Sequence, residues 1–186
     1  MMRAETIADA VERQLRVAHA GEPTVYRREL GICAGAGRID VATVNGALTG
    51  CEVKSAEDGL GRLPSQVELY GRVLDFAILA VERVHPARVG NLIPQWWGVW
   101  HVTSDGTGAP RIEELRPPKP NPDVQPLAVA QLLWRAEALE VLRHRGLHRG
   151  LSSATRWRLW ERLAEQLPLL ELQVEVRSRL KARQDW

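Results

Sequence analysis

Asp40 interrupts the apolar run Ile39-Asp40-Val41, and Glu52-Val53-Lys54 interrupts a second apolar stretch a short turn later. Gln66 and Tyr70 follow at the i, i+4 spacing that brings two side chains together on one helix face. An acid, an acid-x-lysine and a polar pair are what hydrolysis of a phosphodiester requires. Water must be driven against an already anionic phosphorus, which calls for a hard cation that polarises the phosphoryl oxygen and acidifies bound water. Mg²⁺ or Mn²⁺ would serve. Mg²⁺ keeps several waters and needs only one or two carboxylates beside the substrate phosphate, and Asp40 and Glu52 are the candidate ligands. Residues two apart in a strand share a face, so Lys54 stands beside Glu52, where its ammonium can orient water or offset charge on the phosphate, while Val53 points into the core.

The two acids must also share a face, and hairpin register decides this. Asn45-Gly46 between two β-like runs signals a hairpin, but a two-residue loop there pairs Asp40 with Cys51 and sends Glu52 to the opposite side. A three-residue loop, Val44-Asn45-Gly46 with Gly46 in the left-handed position of a bulge, instead pairs Asp40 with Gly50 and keeps Asp40, Glu52 and Lys54 together. That register is the one expected. It assigns Ile39, Val41, Thr43, Thr49, Cys51 and Val53 to the other face and leaves room for a metal at Gly50.

Asp40, Glu52-Val53-Lys54 and Gln66-Val67-Glu68-Leu69-Tyr70 together resemble the PD-(D/E)XK nuclease superfamily, specifically its RecB-like branch with a Q-x-x-x-Y element after the lysine. The wider run from Glu29-Leu30-Gly31 to Pro94-Gln95-Trp96-Trp97-Gly98 is similar to small stand-alone bacterial and phage members of unassigned role. Ile39 stands where the literal motif has proline. The resemblance implies a restriction-endonuclease-like α/β core, divalent-metal dependence and a nucleic-acid substrate, with Gln66 and Tyr70 positioning the lysine or the substrate. Related nucleases often recruit an extra acid from the first helix or strand, which makes Glu5 and Glu29 auxiliary metal-site candidates.

The elements needed to hold such a site are legible. Ile7, Val11, Leu15 and Ala18 form the stripe of an amphipathic helix over residues 5 to 18, and Tyr26 to Leu30 reads as a first strand. Pro64 can open a helix carrying Val67, Tyr70, Val73 and Leu74, and Phe76 to Val81 is a continuous apolar run suited to a buried strand. A short helix from Pro86 to Leu92 and a strand from Val99 to Val102 complete an expected nuclease core over 1–105. Six of the eleven prolines fall between Gly106 and Pro126, which reads as a linker or a loop wrapping the core. In 127–186, Leu132, Leu133, Ala136, Leu139 and Leu142 mark one helix. Trp157, Trp160, Leu163 and Leu167 mark another, capped near Ser152 or Ser153. Pro168 opens a third with the stripe Leu172, Val176 and Leu180.

With 186 residues, 45% of them hydrophobic, the chain can bury one substantial core plus a helical appendage. No segment is long and apolar enough to span a bilayer, and the first residues lack the apolar core of a signal peptide, so a cytoplasmic protein is expected. Cys33 and Cys51 have no CxxC spacing and read as free thiols.

The net charge of +2 hides an asymmetry. Residues 127–186 carry 11 Lys/Arg against 7 Asp/Glu, and six arginines fall between Arg143 and Arg162 with Glu161 as the one acid among them. Arg145, Arg149, Arg156 and Arg158 are therefore candidate phosphate contacts, DNA being the favoured polymer over RNA. His144 and His148 lack a third ligand nearby, Gly35-Ala36-Gly37 reads as a turn, and Trp96, Trp97, Trp100, Trp157 and Trp160 read as core. An alternative from another class is a catalytically silent nucleic-acid-binding or assembly module on the same fold.

Overall fold

The computed structural model describes residues 1–82 and 89–184. Helix α1 (Ala4–Ala18) buries Ile7, Val11 and Leu15, as its apolar stripe requires. It leads into a hairpin pair, β1 (Val25–Ile32), β2 (Gly37–Val44) and β3 (Leu48–Lys54), in which each strand runs antiparallel to the next. Helix α2 (Leu63–Val73), with Pro64 in its first turn, crosses to β4 (Phe76–Val81), which lies parallel to β3. Strand β5 (Gly98–Ser104) continues in parallel, and β6 (Pro110–Arg116) closes the far edge antiparallel. The result is one six-stranded mixed sheet in sequence order, with helices on both faces.

One face is covered by α1, whose Ile7, Val11 and Leu15 pack with Val41, Cys51, Val53, Ile78 and Trp100. The other is covered by α2 and by four C-terminal helices, α3 (Pro126–Ala130), α4 (Arg135–His144), α5 (Arg156–Gln166) and α6 (Leu169–Ala182). Leu142, Leu159, Leu163, Leu172 and Leu180 share a single apolar cluster with Ile39, Tyr70, Leu79 and Trp97. The protein is thus an α/β fold with a restriction-endonuclease-like core and a C-terminal helical extension that completes one of its two hydrophobic layers. No helix among the described residues is long and apolar enough to cross a membrane.

Several expectations need correction. The hairpin loop has three residues, but they are Asn45-Gly46-Ala47, with Val44 opposite Leu48 and Ala42 opposite Gly50. Asn45 holds this turn by accepting the Ala47 N–H on its side chain at 2.9 Å, and Gly46 is not left-handed. The register is displaced by two residues from the one expected, so parity, and with it the shared side of Asp40 and Glu52, survives. Gly50 makes no room for a metal: a β-carbon there would lie 2.5 Å from Leu74 Cδ1, so its small size serves packing.

The stretch from Gly106 to Pro126 contains β6, an edge strand ordered by pairing with β5 and lacking an apolar stripe of its own. Asp105-Gly106-Thr107-Gly108 was its signal, a turn in which Asp105 accepts from Thr107 and Ala109, with Gly108 at φ 89°. The remainder wraps the core, since the Asn121 amide donates to the Gly71 and Leu74 carbonyls. Leu132 and Leu133 precede α4 in the turn after α3 and are buried there. The cap of α5 is Thr155, which accepts from the Arg158 N–H, and not Ser152 or Ser153. Trp157 is exposed, whereas Trp96, Trp97, Trp100 and Trp160 are buried. The helix expected from Pro86 to Leu92 lies partly outside the described residues.

Because α6 and the sheet share one core, Leu172→Ala should lower the stability of the whole chain by about 2–5 kcal/mol in a single transition. Denaturant unfolding followed by far-UV dichroism and tryptophan fluorescence checks this. Two separate transitions would contradict a shared core.

Candidate active site

Glu52 and Lys54 sit on alternate positions of β3 and turn toward α2, while Cys51 and Val53 enter the layer beneath α1. Both charged side chains are buried, at 1% and 3% exposure. An isolated charge there would be costly, but these are paired and hydrogen-bonded. Lys54 Nζ donates to Glu52 Oε1 at 2.6 Å and to Gln66 Oε1 at 3.0 Å. Gln66 Nε2 donates to the same Glu52 oxygen at 2.5 Å, closing a triangle, and Tyr70 Oη donates to Glu52 Oε2 at 2.6 Å. The helical spacing of Gln66 and Tyr70 thus delivers one donor to each oxygen of one carboxylate. Burial, then the negative charge of Glu52, pushes the Tyr70 phenol far above its ordinary value, so it remains a donor. Its ring stacks on Trp97 at 5.5 Å, which fixes its direction.

Asp40 is held differently. The β2–β3 ladder ends at Val41 opposite Cys51, and the next free β3 amide, Val53 N–H, donates to Asp40 Oδ2 at 2.7 Å. On the other side the β1–β2 pairing skips Glu29 opposite Asp40, and Glu29 has a left-handed φ of 58°. Such a conformation in a residue with a β-carbon is strained and tends to cluster at functional sites. Strand β2 is distorted at this point: Ile39 packs in the same layer as Ala42, although strict alternation would have joined it to Val41. The expected face for Ile39 is therefore corrected, because the break at Asp40 resets the alternation.

The two acids, Lys54, Gln66 and Tyr70 line one cleft of about 1110 Å³ between α1 and α2. Glu5 and Glu29 line it too, and Glu29 is ion-paired with Arg38. Asp9, Glu12, Arg28 and Asp58 also reach the cleft and were missed. The first two were visible as the helical series Glu5, Asp9 and Glu12 opposite the apolar stripe. Arg28 approaches Asp9 at 3.4 Å and Glu12 at 3.6 Å. Asp58 caps its own loop by accepting from Ser55, and these bonds hold its carboxyl below the ordinary value.

This donor set suits a hard divalent cation. Glu52 Oε2 accepts one hydrogen bond and Asp40 Oδ1 none from the described residues, so each acid keeps lone pairs for a metal. Among the described residues no three acids, histidines or cysteines group tightly enough to hold a metal by themselves. Two carboxylates with water and a phosphate completing the shell is the arrangement Mg²⁺ tolerates.

The basic-tail candidates separate. Arg145 is engaged with Glu171 and Glu175 at 2.5 and 2.9 Å, joining the end of α4 to α6, and Arg158 pairs with Glu161 at 3.3 Å. Arg149 is exposed, and Arg156 lies over the Trp160 ring. Cys33 is half-buried, Cys51 is buried, and both are free.

Fold and site together define an α/β protein with a restriction-endonuclease-like core whose polar cluster lies at the break in β2. Residues 3–185 match the family model described as bacteriophage P4 protein cII, and the chain belongs to that family. A solved protein of unknown function from Silicibacter pomeroyi is similar at 19% identity and a TM-score of 0.49, over 83% of this chain and 99% of that one. No curated protein matches.

Burial, then repulsion from Glu52, raises the Asp40 carboxyl from 3.8 to about 6. The folded protein therefore holds this proton more tightly than the unfolded chain. The stabilisation is full below the unfolded value and is lost as pH rises through the folded one. Asp40→Asn should accordingly melt higher than the wild type above about pH 6, and the difference should disappear below about pH 4. Thermal melts across this range test it, and a pH-independent difference would place the raised titration elsewhere.

Proposed function

We propose that the protein is a divalent-metal-dependent nuclease of the PD-(D/E)XK type, RecB-like, hydrolysing phosphodiester bonds in DNA within the cytoplasm. The observation that carries this reading is the pairing of two unlike carboxylates in one cleft. Glu52 is buried and clamped by Lys54, Gln66 and Tyr70, while half-buried Asp40 is held by a single backbone amide and has its carboxyl raised. Two acids that repel each other would be relieved by a bound divalent cation.

In this reading Asp40 and Glu52 would hold Mg²⁺ or Mn²⁺, with Glu29 and Glu5 as auxiliary acids in the same cleft. When bound, the ion supplies polarisation of the phosphoryl oxygen and a more acidic water. The chain's own groups do the rest. Lys54 spends two of its three N–H donors on Glu52 and Gln66, which leaves one aimed by a rigid frame for the attacking water or a phosphate oxygen. Gln66 fixes the lysine by accepting from it while donating to Glu52. Tyr70 keeps the second carboxylate oxygen oriented.

The catalytic and structural roles of the two acids should come apart. Asp40→Asn should abolish Mg²⁺- or Mn²⁺-dependent cleavage of DNA without loss of thermal stability at pH 7. Glu52→Gln should lose cleavage and also about 3–5 kcal/mol of stability, because Lys54 is left buried without its counter-charge. Cleavage of single- and double-stranded DNA and RNA, with each metal or a chelator, measures the first quantity and denaturant unfolding the second. Wild-type protein that cleaves none of them, or cleaves equally in chelator, would overturn the reading.

A further inference from the structure

A second depression, of about 610 Å³, adjoins the acidic cleft and shares Arg28, Glu29, Gly31 and Gly35 with it at the free edge of β1. Its character is opposite. Arg27, Arg28, Arg135, Arg156 and Arg183 line it, with Glu29 as the one acid. Among the described residues Arg135 donates to the Ala154 and Ser152 carbonyls, which carry no charge to neutralise it, and Arg156 lies over the Trp160 ring at 5.2 Å.

At its rim stands Trp134, 51% exposed. Arg183 lies against this ring at 4.3 Å and is held by Glu137, and Glu137 also accepts the Trp134 backbone N–H at 2.7 Å. The tryptophan is thus a large apolar ring kept near the surface by a built support. Guanidinium groups beside an exposed aromatic plane are what a single nucleic-acid strand requires, phosphates on the first and an unpaired base on the second. A base inside a duplex already stacks on its neighbours and has no free face to offer.

Resting on the nuclease reading, we propose that this groove binds a single-stranded flank of the substrate, which leaves the cleft past the edge of β1, sets a base on Trp134 and runs its phosphates along Arg135 and Arg156. Glu137 is the positioning residue that holds the platform. The acidic cleft then attracts the cation while the basic groove supplies the grip on the polyanion.

The test uses the full chain with chelator present, measuring fluorescence anisotropy of a labelled deoxyoligonucleotide and of its blunt duplex at several salt concentrations. The single strand should bind more tightly than the duplex. Trp134→Ala should weaken strand binding by about tenfold, and Trp134→Tyr should restore most of it, since a phenol ring still stacks. Arg156→Ala should flatten the salt dependence by roughly 0.7 in slope, while Arg111→Ala, on the opposite edge of the sheet, should leave it unchanged. Rescue by tyrosine and unchanged thermal melts separate lost binding from lost folding. Wild-type affinity in both Trp134→Ala and Arg156→Ala, or a duplex bound as tightly as the strand, overturns the proposal. If those variants retain affinity while the wild type cleaves DNA with metal, the groove fails and the nuclease reading stands. If strand binding follows Trp134 and Arg156 but no metal supports cleavage, the groove stands and the nuclease reading fails.

Discussion

The Glu52 carboxylate is the constraint on which the rest of the site depends. Buried at 1% exposure, it is tolerable only because an ammonium, an amide and a phenol satisfy it from two elements. Those donors fix how β3 and α2 meet, since Gln66 and Tyr70 must both reach one side chain across the layer. The Tyr70 ring in turn stacks on Trp97, which belongs to the same apolar layer as the C-terminal helices. Stability and site geometry are therefore coupled: loosening the C-terminal layer would blunt the aim of Lys54. A buried pair of this kind contributes little net stability but makes the loss of either partner expensive, which favours retaining a single geometry.

Asp40 depends on the opposite device, a fault in the sheet. The ladder between β2 and β3 stops one residue short of it, Glu29 is left-handed across β1, and the alternation of β2 resets at Ile39. A regular strand would have paired the Asp40 backbone and left its side chain without the Val53 amide. The distortion replaces a ladder bond with a side-chain bond and turns a carboxylate toward the cleft, a local cost that the intact sheet on either side offsets. One acid is thus rigid and fully gripped, and the other is half-buried with its charged form disfavoured.

Much of this was legible in the residues. Polar groups inside apolar runs marked Asp40, Glu52 and Lys54. The i, i+4 pair marked Gln66 and Tyr70, and the stripes of α1, α2 and α6 followed from period alone. What failed had physical causes. The parity of the hairpin could be reasoned from loop length, but the loop's position could not, because Asn45 caps the turn through its side chain. Strand β6 carries almost no apolar signal and is ordered by β5. The fate of the tail arginines was set by tertiary contacts: Glu171 and Glu175 lie far from Arg145 in the chain yet meet it across two helices, while Arg135 and Trp134 gain their setting only from β1, which is distant in the chain.

The central claim is that Asp40 and Glu52 together form a cation site. Crystals grown with Mn²⁺ and measured at a wavelength sensitive to manganese test it directly. One strong anomalous peak is expected within coordination distance of both carboxylates, roughly 2.0–2.2 Å, with Lys54 still bonded to Glu52. A peak elsewhere in the chain, or none at a saturating Mn²⁺ concentration, would contradict it.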